Sequence, residues 1–325
     1  GQLIVSGLAL YGVYYFGTLS VEGLDFSLMA DDSARKAFME TDAANASLVG
    51  SAYQYGFRYL VAIFGAISVA LFLVTFATTR ERVAPAAKQD SNLFKDFKFL
   101  FKNRPWVVLT IVGIVSFIMF AIQNISATYY FKYFLDAESK SQIFNVLGTV
   151  ALIFAIPATK PLVARVGAKK LYIWCSLLSG LFFMLLFVAG QNFVLINIFN
   201  CLGKIAYAPA ISLLWTMLAD AADYGDWKFQ RRTTGLCLSA AVFAQKIGWS
   251  IGAAILGALM TAVGFQPDVM SVSEIQATPE IMNTIHVLFG IVPGALYASC
   301  AIFLAFYNLD NQTMAEMKKD LESRK

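Results

Sequence analysis

Long runs of apolar residues, separated by short polar segments, dominate the chain from one end to the other. A helix needs about 20 mostly apolar residues to cross the hydrocarbon core of a bilayer. Runs of roughly this length lie near residues 2–19, 55–78, 105–131, 142–161, 170–190, 192–218, 235–263 and 284–307. This pattern predicts an all-α integral membrane protein with about eight transmembrane helices.

The composition supports the same prediction. Of the 325 residues, 58% are hydrophobic and 14% are charged, whereas soluble domains are about 45–50% apolar and about 25% charged. The seventh run also contains Gly248, Gly252 and Gly257, and small residues at this spacing let helix backbones approach closely. A hinge is the alternative interpretation of these glycines.

Lysine and arginine are unevenly distributed, and this predicts the orientation. If the loop after the second run is cytoplasmic, most of the 25 basic residues lie on that side of the membrane. In the opposite segments, 21–50 and 264–283, acidic residues outnumber basic ones. Because loops rich in lysine and arginine stay inside, we expect a multi-pass protein of the cytoplasmic (inner) membrane with a cytoplasmic C-terminus.

The longest connection on this side, residues 79–104, contains a short amphipathic segment. Leu93, Phe97 and Phe101 fall on one helical face with lysines opposite, which is typical of a helix lying in the membrane interface. This central loop separates two runs in residues 1–78 from six runs and a tail in residues 105–325. Six spans after a basic linker indicate a complete half of a twelve-span transporter, preceded by the last two helices of the other half.

Several functions find no support in the residues. The single histidine, His286, argues against a histidine-built metal site or catalytic triad. The four cysteines lie in apolar runs without the spacing of metal ligands, so we interpret them as packing residues. No basic cluster alternates with aromatic residues as in nucleic-acid-binding proteins. We therefore expect no enzyme, no cofactor and no metal site in this chain.

Two lysines lie deep in apolar runs. Lys246 in the seventh and Lys204 in the sixth are each roughly 16–18 Å from the start of their run, near the middle of the bilayer. A charge at that depth costs at least ~2.5–3.5 kcal/mol and usually faces a cavity or a partner. The acidic residues all fall in loops or near run ends, so either a functional role or a buried structural pair stays open.

The third run ends in amides, hydroxyls and tyrosines, among them Gln123, Asn124 and Tyr129. Trp215 of the sixth run adds a further aromatic face. Such groups suit a sugar, which presents hydroxyls at its rim and C–H bonds on its faces. The alternative is an aromatic belt at the membrane surface.

The densest charged motif follows the sixth run. Asp220, Asp223 and Asp226 lie within thirteen residues of Arg231 and Arg232. One interpretation is a solvated turn with weak ion pairs. The other is a charge network that holds the helices together in one state and opens in another.

Four stretches carry a family resemblance. They are Tyr53-Gln with Thr79-Arg-Glu-Arg-Val, Asn103-Arg-Pro-Trp with Tyr129-Tyr-Phe-Lys-Tyr, Ala219-Asp-Ala-Ala-Asp-Tyr-Gly-Asp-Trp-Lys with Arg231-Arg and Gln245-Lys, and Phe306-Tyr-Asn-Leu. The third is the most specific, and together they cover nearly the whole chain. With these motifs the chain resembles the glycoside–pentoside–hexuronide:cation symporters, the melibiose-carrier-like branch of the major facilitator superfamily.

The resemblance implies a twelve-helix fold of two halves that rock around a central site. This chain would be its C-terminal two-thirds, without the first four helices. Lys246 matches the family's lysine tied to cation and sugar coupling, and Asp220, Asp223 and Arg232 match its cytoplasmic gating network. Asp226 stands where the family often has Glu, and Lys204 stands where no charge is expected.

The leading hypothesis is therefore a sugar–cation symporter that works by alternating access, with a sugar or glycoside, Na⁺ or H⁺, and membrane lipid as its partners. The family's cation-binding acids lie mostly on the four helices not found here, so this chain alone is not expected to complete a transport cycle. The complete protein is expected to be monomeric. The second hypothesis is a non-transporting membrane protein, either a sensor or a truncated carrier that acts only in an assembly.

Overall fold

The computed structural model describes residues 2–79, 93–230, 234–266, 270–309 and 311–323. Across these ranges the chain forms α-helices joined by short turns, a π-helical segment and a 3₁₀ turn, and no strand. The helices are α1 Gln2–Ser20, α2 Phe26–Ala30, α3 Asp32–Thr41, α4 Ala43–Thr78, α5 Leu93–Lys102, α6 Arg104–Tyr129, α7 Lys140–Ala155, α8 Thr159–Val166, α9 Ala168–Ala189, α10 Phe193–Phe229, α11 Thr234–Ala262, α12 Val272–Ala277, α13 Pro279–Phe289, α14 Ile291–Ala305 and α15 Asn311–Ser323.

Seven helical segments in the described ranges are long and apolar enough to cross a membrane. They are Ala43–Thr78, Arg104–Phe134, Lys140–Val166, Ala168–Ala189, Phe193–Phe229, Thr234–Ala262 and Pro279–Ala305. They correspond to the second to eighth apolar runs. The first run forms α1, a helix of 19 residues and about 28 Å. The prediction of an all-α, multi-pass membrane protein is confirmed.

Three of the predicted spans are interrupted within their length. After α6 the chain continues as a π-helix, Tyr130–Phe134, and α7 joins α8 through the 3₁₀ turn Ile156–Ala158. The last span is broken at Gly290, between α13 and α14. Prolines explain two of these breaks, because Pro157 and Pro293 lack the N–H that a continuous helix needs and their rings crowd the preceding turn.

The segment between α1 and α4, predicted as an outer loop, holds the two short helices α2 and α3. Arg35 of α3 is buried and binds this segment to α1. Its guanidinium donates hydrogen bonds to the Tyr14 hydroxyl, at 3.3 Å, and to the Met29 carbonyl. It also lies 3.8 Å from the Glu138 carboxylate. A buried arginine is tolerated because these partners satisfy its charge and donors.

The chain divides into two units, Gly1–Asp90 with Ala137–Val146, and Ser91–Asp136 with Leu147–Lys325. In the first unit α1 packs against α4. A Cβ added at Gly17 or Gly56 would collide with the backbone of the opposite helix, so these glycines permit the close approach. The division at residues 78 and 104 predicted from the linker stays a prediction.

In the second unit α6 packs against α11 and α14, and α9 packs against α10 and α14. A Cβ added at Gly248 would lie 2.8 Å from the Ile114 carbonyl oxygen, and one at Gly252 would lie 2.7 Å from that of Ile118. Close packing is thus confirmed for these two glycines. It is wrong for Gly257, which has no heavy atom within 4 Å of an added Cβ.

Candidate functional site

Three polar residues form a stripe along the membrane-spanning part of α10. Asn197, Asn200 and Lys204 are spaced by three and four residues, so they share one face of the helix. Asn200 is fully buried and Asn197 is 9% exposed. Asn197 bonds within its own helix, donating to the Phe193 carbonyl at 2.8 Å. Polar side chains within a membrane span are costly, and an ionisable one such as Lys204 often marks a functional position.

Lys204 is held among aromatic rings. Its ammonium lies 5.1 Å from the ring centroid of Phe120 on α6 and 5.7 Å from that of Phe183 on α9. It makes no ion pair with any described residue. A desolvated cation–π contact is worth about 2 kcal/mol, which offsets part of the cost of the charge at this depth.

The aromatic contacts link Lys204 to the helix that carries Lys246. The Phe120 ring also contacts the ring of Trp249 on α11, with centroids 5.3 Å apart. Lys246 lies one turn before Trp249 and is itself exposed. It is about 200° around α11 from Gly248, so its side chain points away from the α6–α11 contact.

The two amides predicted on α6 differ in their bonding. Gln123 is 2% exposed, and neither its amide nitrogen nor its amide oxygen has a hydrogen-bond partner among the described residues. Asn124 is satisfied locally, because its amide donates to the Phe120 carbonyl at 2.7 Å. An unpaired buried amide costs about 1–3 kcal/mol, so Gln123 is a position where a polar ligand would recover free energy.

The two predicted aromatic residues lie elsewhere. The Tyr129 ring contacts those of Tyr133 and Phe265, at centroid distances of 6.1 and 5.3 Å. Such a cluster near a helix end resembles the aromatic belt that was the alternative interpretation. Trp215 is partly buried and shares a face of α10 with Lys204, about 16 Å along the axis.

The acidic motif lies on a helix rather than on a turn. Asp220, Asp223 and Asp226 all belong to the last turns of α10, which continues to Phe229. Arg231 and Arg232 lie outside the described residues. Burial first, and then the negative charge of Asp220, raises the pKa of the Tyr307 phenol above its ordinary range.

The Asn103-Arg-Pro-Trp motif joins three helices at this end of the second unit. Asn103 caps α6 by accepting from the Trp106 N–H at 3.3 Å, and its amide donates to the Ala221 carbonyl of α10 at 2.6 Å. The Trp106 indole donates to the Cys237 carbonyl of α11 at 3.2 Å. The motif thus joins α6, α10 and α11, and its acceptor on α10, Ala221, is the residue after Asp220.

The C-terminal helix is bonded to the same end. The Trp227 indole of α10 donates to the Asp320 carboxylate of α15 at 2.8 Å. Lys169, at the start of α9, donates to the carbonyls of Ala305 and Tyr307 at 3.1 and 2.6 Å and so caps α14. Hydrogen-bonded groups of six helices, α6, α9, α10, α11, α14 and α15, therefore lie at this end of the second unit.

The structure brings some of the predicted residues together and leaves others apart. It places Lys204 against Phe120, one turn from Gln123 on α6, and groups the three aspartates at one end of α10. Sequence reasoning missed Asn197 and Asn200. Their spacing from Lys204 places them on the same face of α10, and this spacing could have been recognised in the sequence.

Several membrane-spanning helices, with polar side chains within the spans and a bonded joint at one end, define a polytopic membrane protein. The chain belongs to the MFS/sugar transport protein family, whose model matches residues 15–311. This is a family of transporters rather than enzymes.

Individual relatives are similar over most of this chain. "Putative glycoside/cation symporter YagG" of Escherichia coli (strain K12) is 28% identical over 269 residues, 82% of this chain and 57% of that protein. "Uncharacterized symporter YnaJ" of Bacillus subtilis (strain 168) is 27% identical over 290 residues, which are 89% of this chain and 60% of that protein. The isoprimeverose transporter of Lactiplantibacillus pentosus is 27% identical over 281 residues, which are 83% of this chain and 55% of that protein. The chain thus spans a little over half the length of these relatives.

Proposed function

We propose that this protein carries a sugar or glycoside across the cytoplasmic membrane together with Na⁺ or H⁺. The match to the sugar-transport family over residues 15–311 carries this proposal. Two of the relatives are named as symporters and one as an isoprimeverose transporter. The coupled mechanism requires that cation and sugar each stabilise the state that binds the other, because a ligand shifts an equilibrium only by its differential affinity.

Lys246 is the residue to which we assign the coupling. An exposed ammonium in the middle of a membrane span is costly unless it faces water or an opposite charge. A water-accessible path along this face of α11 would solvate the ammonium of Lys246. A cation or a sugar bound in that path would change the charge and hydration around this ammonium. The role predicts loss of concentrative transport when the charge is removed.

Gln123 is the residue to which we assign sugar recognition on α6. A sugar hydroxyl can accept from its amide nitrogen and donate to its amide oxygen, and both atoms lack partners in the structure. Asn124, the next residue, already bonds to its own helix. The two adjacent amides are therefore predicted to respond differently to substitution.

The acidic end of α10 is proposed to form the cytoplasmic gate. Asp220, Asp223 and Asp226 would pair with Arg231 and Arg232 when the inner side is closed, and the pairs would open when the helices separate. The positive-inside distribution of lysine and arginine supports a cytoplasmic location for this end and for the C-terminus. A monomer is sufficient for this mechanism.

The amide assignment is tested by Gln123→Met against Asn124→Leu, with both proteins made from the complete gene and assayed for sugar uptake. Gln123→Met is expected to reduce sugar affinity at least tenfold without lowering thermal stability, because it replaces an unpaired buried amide by an apolar group of similar shape. Asn124→Leu is expected to retain uptake. Equal uptake by both variants, or loss of stability in Gln123→Met, would contradict the assignment.

A further inference from the structure

Two adjoining cavities lie at the end of the second unit where α6 begins and α14 ends. The larger, of about 490 Å³, is lined by residues that include Arg104 and Lys169. The smaller, of about 290 Å³, is lined by residues that include Lys102, Arg104 and Lys228. Arg104 and Asn308 belong to both linings. We call these four cationic residues and the two cavities the basic groove.

Among the described residues, no carboxylate lines the basic groove. Arg104 is exposed and makes no hydrogen bond or ion pair with any residue in the described ranges. Among the described residues, the Lys228 ammonium donates to the Tyr224 hydroxyl at 2.7 Å, and Lys169 donates to backbone carbonyls. Lys102 lies over the Phe99 ring, 5.9 Å from its centroid. None of the four cations therefore forms an ion pair with a residue in the described part of the chain.

One side of the basic groove is apolar. Val107 and Val108, in the first turns of α6, line the larger cavity together with Phe101 and Phe306. Both phenylalanines are largely exposed, at 68% and 69%. They stand where two membrane spans meet the water boundary, so aliphatic chains can lie against them while the cations face the polar headgroups.

We propose that the basic groove binds one anionic phospholipid. The phosphate lies between Arg104 and the neighbouring lysines, and an acyl chain runs along Val107, Val108 and Phe306. A guanidinium without internal partners is well suited to hold two phosphate oxygens at once. Basic pockets between transmembrane helices bind anionic headgroups in this way.

Charge and shape together favour a lipid over a free anion. Inorganic phosphate would use the cations and leave the apolar side bare, whereas a phospholipid uses both. Four cations, with no acid among the described lining residues, favour a headgroup of net negative charge over a zwitterionic one. The bound lipid would also touch α6 and α10, two of the three helices that meet at the Asn103 joint, together with α5 and α14.

Native mass spectrometry of the purified protein with equimolar phosphatidylglycerol and phosphatidylcholine tests the proposal. We expect one phosphatidylglycerol to be retained in preference, and Arg104→Gln to lower its occupancy about fivefold, as expected for loss of one cation near the headgroups. Arg165→Gln is the matched control, because Arg165 is exposed at the end of α8 and lines neither cavity. Lys102→Gln gives an independent reading if Arg104→Gln folds poorly.

Equal retention of the two lipids would overturn the proposal, as would the same occupancy in Arg104→Gln and Arg165→Gln. A second arm measures thermal stability in lipid-free micelles with inorganic phosphate. If phosphate alone stabilises the protein as much as phosphatidylglycerol does, and Arg104→Gln removes that effect, the groove is a free-anion site and the lipid assignment is wrong.

Discussion

Replacing Gly252 by alanine tests the backbone contact between α6 and α11. The added Cβ would lie 2.7 Å from the Ile118 carbonyl oxygen and 2.8 Å from the Ala121 Cβ, whereas real Cβ contacts essentially never fall below 3.0 Å. Neither neighbour can rotate away, so the helices must separate by a few tenths of an ångström. Overpacking of this kind costs about 1–3 kcal/mol.

Gly257→Ala on the same helix is the matched control. No heavy atom lies within 4 Å of its added Cβ, so only the higher helix propensity of alanine acts, a gain of up to about 1 kcal/mol. The difference between the two variants isolates the packing cost. Unfolding in mixed micelles, followed by tryptophan fluorescence, is expected to rank Gly252→Ala about 1–3 kcal/mol below Gly257→Ala. Equal free energies of unfolding would refute the close contact.

Two further substitutions test the bonded joint and the buried lysine. Asn103→Ala removes the cap of α6 and the bond to Ala221, and we expect a loss of about 1–3 kcal/mol in the free energy of unfolding. Lys204→Met removes a mid-membrane charge that has no acidic partner among the described residues. We expect its thermal stability to be equal or higher, because the desolvation cost saved offsets the lost cation–π contacts, while uptake falls if the lysine serves the transport path.

Asn103→Ser is the control for the joint. It keeps a neutral side-chain oxygen that can cap α6 and loses the amide donor to Ala221, so its stability should fall between those of the wild type and Asn103→Ala. Wild-type stability in Asn103→Ala would contradict the joint. A marked loss of stability in Lys204→Met would mean that the contacts of Lys204 stabilise the protein by more than its desolvation costs, and that Lys204 is a structural residue.

The membrane spans could be predicted from the sequence because apolar runs of about 20 residues have few other uses. Their interruptions were harder to predict. The break at Gly290 and the long α10 depend on where backbone hydrogen bonds continue, and hydrophobicity does not report this. A solvated turn was one of two interpretations of the acidic motif, yet a helix satisfies its own backbone hydrogen bonds, and α10 continues through the motif to Phe229.

The candidate site was predictable only in part. The depth of Lys204 follows from counting residues along the run, but its contacts with Phe120 and Phe183 come from two other helices. In the same way, the unpaired state of Gln123 and the local bond of Asn124 cannot be told apart in sequence, since the two amides are adjacent. The Asn103 motif marked a family resemblance, and its part in joining three helices required the fold.

Sugar accumulation by cells expressing the complete gene, under imposed Na⁺ or H⁺ gradients, is the most direct test of the central proposal. We predict that one gradient drives accumulation above the external concentration, that a matching ionophore abolishes it, and that Lys246→Ala inserts normally but no longer concentrates sugar. Lys319→Ala, an exposed lysine of α15, should behave as wild type. Uptake that ignores both gradients, or normal accumulation by Lys246→Ala, would contradict the account.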